Sequence, residues 1–313
     1  AIFLPSTDGT AAAKVAERSA ETGEHYISHN RSEYLQMVRR AAGGGLLMSV
    51  TTLLKFGLAA LAFSAFWGGF WAGVNYSISF VLIQLLHWTV ATKQPAMTAP
   101  AMAAKLKDMQ SSEDAAHTLE AFVDEVANLV RTQVAAILGN VLVVFPAALI
   151  LSLLWWQMFG ATPLDAAYAQ STLDSLHVLG PSALFAAYTG VLLFASSLIA
   201  GWVENWFVLR RLDSAIRYNP GFTRWLGKGR AKRWGDFWRA NISGFAANIS
   251  LGMMLGLTPA IAAFFGLGLE VRHVTLSSGQ LGVASATFGL GVLALPAFWW
   301  ALALLPLNGA LNV

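Results

Sequence analysis

Apolar positions in this chain fall in long unbroken runs, separated by short polar or charged stretches. Between Leu46 and Ala91 one run carries a single charge, Lys55, and is interrupted by Gly68-Gly69 and Gly73. A membrane crossing needs about 20 apolar residues, so this run predicts two helices joined by a glycine turn. Further runs cover 134–159, 183–207, 243–267 and 281–307, for a working count of six spans. Strands of a membrane barrel would alternate over segments of about ten residues, which these runs do not do. The expected fold is all-α, a polytopic bundle of about six transmembrane helices.

The segment 105–133 has a different rhythm. Leu106, Met109, Ala116, Leu119, Phe122, Val123, Val126, Leu129 and Val130 recur at helical spacing, with Asp108, Glu113, Asp114, Glu120, Asp124 and Glu125 between them. The pattern predicts an amphipathic helix. Helices lying on a membrane surface usually present Lys and Arg, whereas this polar face is acidic. It is expected to pack on protein, either on the basic segment 208–241 or on a further domain.

Composition excludes a soluble enzyme. Of the 313 residues 56% are hydrophobic and 12% charged, with 12 Trp and 19 Phe, against roughly 25% charged in soluble domains. The absence of cysteine removes disulfides, thiolate metal sites and cysteine nucleophiles together. Residues 1–45 have no short apolar core with a small-residue cleavage site, so they do not read as a secretory signal. They begin Ala1-Ile2-Phe3 without an initiator Met and end in Gly43-Gly44-Gly45. They read as the cytoplasmic remnant of a longer N-terminal region, ahead of a transmembrane domain at 46–313.

Basic residues then set the direction, because Lys and Arg concentrate in cytoplasmic loops near the spans. The segment 208–241 holds Arg210, Arg211, Arg217, Arg224, Lys228, Arg230, Lys232, Arg233 and Arg239 against Asp213 and Asp236. It is expected in the cytoplasm together with 92–133 and both termini, N-in and C-in. The stretch 160–182 has two acids and no base, and 268–280 has Arg272 beside Glu270; both are expected outside. The localisation this implies is a cytoplasmic (inner) membrane, multi-pass.

Within the spans the polar side chains are few. Lys55 is the most costly, about 3 kcal/mol on insertion scales for a charge at a helix centre, unless it snorkels toward the cytoplasmic interface. Glu204, in Trp202-Val-Glu-Asn-Trp206, is the one acid near the apolar part of a span, and the two are candidates for a pair. With Asn75, Gln84 and His87 they make a candidate polar intramembrane site; such residues otherwise hydrogen-bond between helices as structural glue. The nine bases of 208–241 are candidates for lipid-phosphate or partner binding. No phosphate loop, His-Glu-x-x-His pair or serine elbow occurs, and His25 and His29 share a helical spacing without a third ligand. No catalytic residue and no metal is therefore expected.

Several strings carry a resemblance: Ala91-Thr-Lys-Gln-Pro-Ala-Met-Thr-Ala-Pro100, Trp202-Val-Glu-Asn-Trp-Phe-Val-Leu-Arg-Arg-Leu-Asp213, Asn241-Ile-Ser-Gly-Phe-Ala-Ala-Asn-Ile-Ser250 and Val271-Arg-His-Val-Thr-Leu-Ser-Ser-Gly-Gln280. Together they resemble the bacterial integral-membrane family labelled site-specific recombinase, Gcr type, over most of the chain from about residue 25. The resemblance implies a multi-span protein with a large N-terminal region and supplies no established catalytic residues. Strand exchange would need a Tyr nucleophile with an accompanying His-x-x-Arg, and none is present, so no nucleic-acid partner is expected.

The function expected from the residues is a non-catalytic scaffold or accessory subunit binding a protein partner, a second copy or membrane lipids, with bound phospholipid. The alternatives are a transporter or channel with a polar path near Lys55 and Glu204, and a subunit handling quinone or lipid.

Overall fold

The computed structural model describes residues 27–91 and 115–313. Among them are ten α-helices and no strand. Six helices are long and apolar enough to cross a membrane, and the chain is a multi-pass helical protein.

α1 (Arg31–Ala60) starts at Asn30, whose side chain accepts from the Glu33 N–H. It runs straight through Gly43-Gly44-Gly45. The triplet marks a close approach instead of a boundary: a Cβ at Gly44 would strike the Thr89 carbonyl, and one at Gly45 the backbone of Asn140. The turn into α2 (Ala65–Leu85) comes at Leu61–Ser64, with Ala62 left-handed at φ 51°. The expected glycine turn at 68–73 is absent. Gly69 and Gly73 lie inside α2 and form a seam with Gly252 and Gly256 of α8 (Lys228–Phe264). Small residues let the two backbones pack closely, which is why the glycines are spent there.

α1 and α3 (Ala115–Phe159) run parallel. The Ser28 N–H donates to Thr132 Oγ1 at 2.8 Å, Asn140 donates to the Ala41 carbonyl, and Gly45 packs beside Val144. α2 runs against both α1 and α8, with Thr51 bonded to Ser79, Ser77 to the Ile249 carbonyl and Gln84 to Asn241. The described part of the expected amphipathic helix, 115–133, is the first five turns of α3. Its polar contacts are with the residues before α1, His29 to Glu125 at 3.0 Å and Ser28 to Thr132. Among the described residues it packs on α1 and not on 208–241. Residues 92–114 and 1–26, which include the loop before Pro100, Leu106, Met109 and His25, lie outside the described residues.

α4 (Ala166–Ser175), capped by Asp165, leads to α5 (Ser182–Leu209). The short helices α6 (Leu212–Tyr218) and α7 (Pro220–Leu226) follow, and α6 packs on the early turns of α8, with Gly235 against Asp213 and Arg217. The start of α1, the end of α2, the end of α5 and the start of α8 share one end of the bundle. It carries Arg39, Arg40, Arg210, Arg211 and Arg233 and is called the basic end below; the other is the far end.

The last third of the chain departs most from expectation. α8 ends at Phe264, beyond the level of Gly69 at the start of α2. Residues 267–273 are not helical. α9 (Val274–Phe288) then starts deep in the bundle, where His273 faces Phe80 and Thr275 bonds Asn140. Gly69 and Phe80 are separated by about 16 Å along α2 at 1.5 Å per residue, so the chain has run back toward the basic end before α9 begins, exposed at Leu267, Gly268 and Glu270 and buried from Arg272. After a 3-10 turn at Gly289–Ala294, α10 (Pro296–Asn312) returns antiparallel, Asn308 reaching Ser277 and Asn312 reaching the Arg272 carbonyl.

The expected single span at 281–307 is therefore a helical hairpin, and of the expected external loop 268–280 only the first residues, Gly268 and Glu270 among them, are exposed, while Arg272–Gln280 are buried in the bundle. Gly289 at φ 55° and Pro296 at the first turn of α10 split the apolar run, since Pro lacks an N–H and fits a helix start. Burial, which periodicity cannot see, explains the rest: every residue of α9 from Val274 to Ala286 is buried. The main core, with Leu173, Leu281, Phe298 and Leu304, packs α4, α9 and α10 together.

Candidate functional site

α9 is a polar helix in an apolar protein. Thr275, Ser277, Ser278, Gln280 and Ser285 are all buried on it. Some are satisfied within the bundle: Thr275 donates to Asn140 at 2.9 Å, and Ser277 accepts from Asn308 at 3.2 Å. Among the described residues Ser278 Oγ and Asn308 Oδ1 are buried without a hydrogen-bond partner, and so is the side-chain amide of Gln133 on α3. An unpaired buried polar group costs about 1–3 kcal/mol, so this interior is kept polar at the expense of stability.

The residues before α9 are charged. Arg272 has 8% of its side chain exposed; it makes a 2.5 Å ion pair with Glu270 and donates to the Ser175 carbonyl at 3.2 Å. Its backbone N–H donates to Thr189 on α5, while its Nε has no partner. The His273 ring accepts from the Thr275 N–H and Asn312 takes the Val274 N–H, so the first turn of α9 is already capped by protein.

Lys55 lies near the far end of α1, with Nζ 5.4 Å from the centre of the Phe56 ring. Snorkelling toward the cytoplasmic interface is not its environment, because α1 begins 24 residues earlier at Arg31. Its electrostatic neighbours are Glu270 and Arg272. Glu204, buried near the basic end of α5, is not brought to it. The other expected members are also dispersed. Asn75 donates to the Thr51 carbonyl, and Gln84 bonds Asn241 and accepts from Asn248. His87 is exposed in the turn after α2 at φ 56°. Asn75 and Gln84 fasten α2 to α1 and α8.

At the basic end Arg217 is taken by Asp236 at 2.6 Å and Asp213 at 3.5 Å. Arg239 is half-buried, whereas Arg210, Arg211, Arg224, Lys228, Arg230, Lys232 and Arg233 are exposed. Among them stand Trp225 at 82% and Tyr218 at 78% exposure, aromatic rings held out of the core.

The family model for site-specific recombinases matches residues 7–313. The chain belongs to that family. No curated protein and no solved structure matches it. In this family member the described tyrosines do not converge. Tyr76 is buried in α2 and Tyr188 is on α5, Tyr168 is at the far end on α4, and Tyr34 and Tyr218 are at the basic end.

Sequence reasoning missed Glu270, Arg272, Ser278 and Asn308 as site residues. One signal was available: Val271–Gln280 mixes a base, a histidine and four hydroxyls or amides, and is followed by Gly289, Gly291 and Pro296. A polar string before an interrupted apolar run marks a broken helix.

Proposed function

We propose that this family member is a multi-pass protein of the bacterial inner membrane that moves a small polar solute through its bundle along α9. The observation carrying the reading is that α9 starts inside the bundle, at the end of a non-helical segment whose last residues, Arg272 and His273, are buried. Non-helical backbone at membrane depth is tolerated only where protein buries it or where it lines a cavity, and transporters build their sites from such broken helices. Ser278 Oγ and Asn308 Oδ1, unpartnered among the described residues, and the charges of Arg272 and Lys55 support it, since intramembrane ionisable groups mark pathways. The test is uptake into proteoliposomes from a panel of small anionic, cationic and neutral solutes. Flux above empty liposomes for one class, reduced at least tenfold by Ser278→Leu, is the expected result. No flux for any class sinks the reading.

A second reading, a non-catalytic scaffold or accessory subunit, draws on the basic end. Exposed Trp225 and Tyr218 among seven exposed bases suit the phosphates and glycerol region of an anionic bilayer. The apolar stripe Leu119, Val123, Val126 and Val130 on α3 stays exposed and suits a protein partner. Native pull-down in mild detergent tests it: a stoichiometric protein lost on Val123→Glu supports the scaffold, and a bare monomer counts against it. Neither reading assigns the chain a reaction on DNA.

A further inference from the structure

Lys55 has no carboxylate paired with it among the described residues. Glu270 is within its electrostatic reach, but at 2.5 Å that carboxylate is committed to Arg272. The three groups come from α1 and from the segment before α9 and sum to one positive charge. A charge held in apolar surroundings is costly unless paired, and Lys55 is half-buried. Tyr168 of α4 packs edge-on against Phe56, ring centres 5.6 Å apart, on the same ring that Lys55 lies over. Tyr168 as a residue is 43% exposed, and its phenol is a donor from a third element. Arg272 Nε is a buried donor left without an acceptor among the described residues.

The geometry points to a binding site at the far end for a small oxyanion, a carboxylate or a phosphate, taken by Lys55 with Tyr168 and Arg272 as further donors and Glu270 holding Arg272 in place. As a substrate site it rests on the transport reading above and names the solute class, an anion presented from the far end. A lipid phosphate and a free anion share this chemistry, and the experiment separates them.

The protein in neutral phosphatidylcholine nanodiscs is melted with increasing acetate or inorganic phosphate, chloride being the reference salt. A saturable rise in melting temperature is expected with one of the two oxyanions. Lys55→Gln raises its half-saturating concentration at least tenfold, Lys55→Arg restores it to within about threefold, and Arg131→Gln at the basic end leaves it unchanged. Stabilisation seen only when phosphatidylglycerol replaces part of the neutral lipid, and lost in Lys55→Gln, keeps the site and makes a headgroup its ligand. An equal response in wild type and Lys55→Gln, or no response to either anion or lipid, overturns the site. Saturable binding without proteoliposome flux would sink only the transport reading. Flux of a neutral solute untouched by Lys55→Gln would sink the assignment of an anion as the transported solute and leave the transport reading standing.

Discussion

Thr275 donates a 2.9 Å hydrogen bond to the side-chain oxygen of Asn140, and that contact fixes where α9 begins. Asn140 also accepts from the Ala91 N–H and donates to the carbonyls of Ala41 and Thr89. One fully buried side chain thus ties α1, the segment after α2, α3 and α9 together at the level where the chain re-enters the bundle.

Asn140→Ala is expected to be among the most damaging single polar substitutions here. Interhelical hydrogen bonds inside membranes average about 0.6 kcal/mol each, with a maximum near 1.7, and four are lost together, leaving their partners buried. A loss of about 2–4 kcal/mol follows, read as a shift in unfolding by a denaturing detergent. Asn75→Ala, which releases one bond from its side chain to the Thr51 carbonyl, should cost under about 1 kcal/mol. Equal effects would show that the four bonds do not act at one junction.

The seam between α2 and α8 makes a second contrast. A Cβ at Gly256 would fall on the backbone of Gly73 and Gly69, whereas one at Gly57 meets nothing within 4 Å. Overpacking a tight contact costs about 1–3 kcal/mol or more, because backbone cannot move aside as a side-chain tip does. Gly256→Val should lower the yield of folded protein in detergent, and Gly57→Val should leave it unchanged. A tolerant Gly256 would place the seam elsewhere.

The chain has no native cysteine, so an introduced pair reports only on itself. Ser277→Cys with Asn308→Cys replaces two side chains now 3.2 Å apart across the α9–α10 hairpin. Mild oxidation should remove maleimide labelling from that pair. Lys55→Cys with Glu204→Cys, placed toward opposite ends, should keep its labelling. The reverse outcome would restore the single sixth span and the Lys55–Glu204 pair.

How far the sequence could be read depended on what each feature leaves along the chain. Five of the spans were legible because lipid imposes length and apolarity on each segment separately. The bounds of the sixth, Val274–Ala294 in the structure, were not, since one spanning helix and a buried hairpin give the same apolar run, and only Gly289 and Pro296 hint at the break. Lys55 was visible as an isolated charge, but its neighbour Glu270 lies 215 positions away in a stretch that reads as an external loop. The amide clamp of Asn140 was legible as a polar residue in a span and illegible as a junction, because its partners are mostly backbone groups.

Orientation is the last prediction. The basic end carries Trp225 and the far end Leu179, both exposed at 82% and 77%. If Lys and Arg mark the cytoplasmic side, Trp225→Cys should react with a membrane-impermeant maleimide only after cells are opened. Leu179→Cys should react in intact cells with a permeabilised outer envelope. Ser278→Cys, buried on α9, should stay unreactive from both sides in a sealed bundle and become reactive from the far end if a path along α9 opens to solvent. Labelling of Leu179→Cys only in opened cells would invert the protein, and the oxyanion site with it would face the cytoplasm.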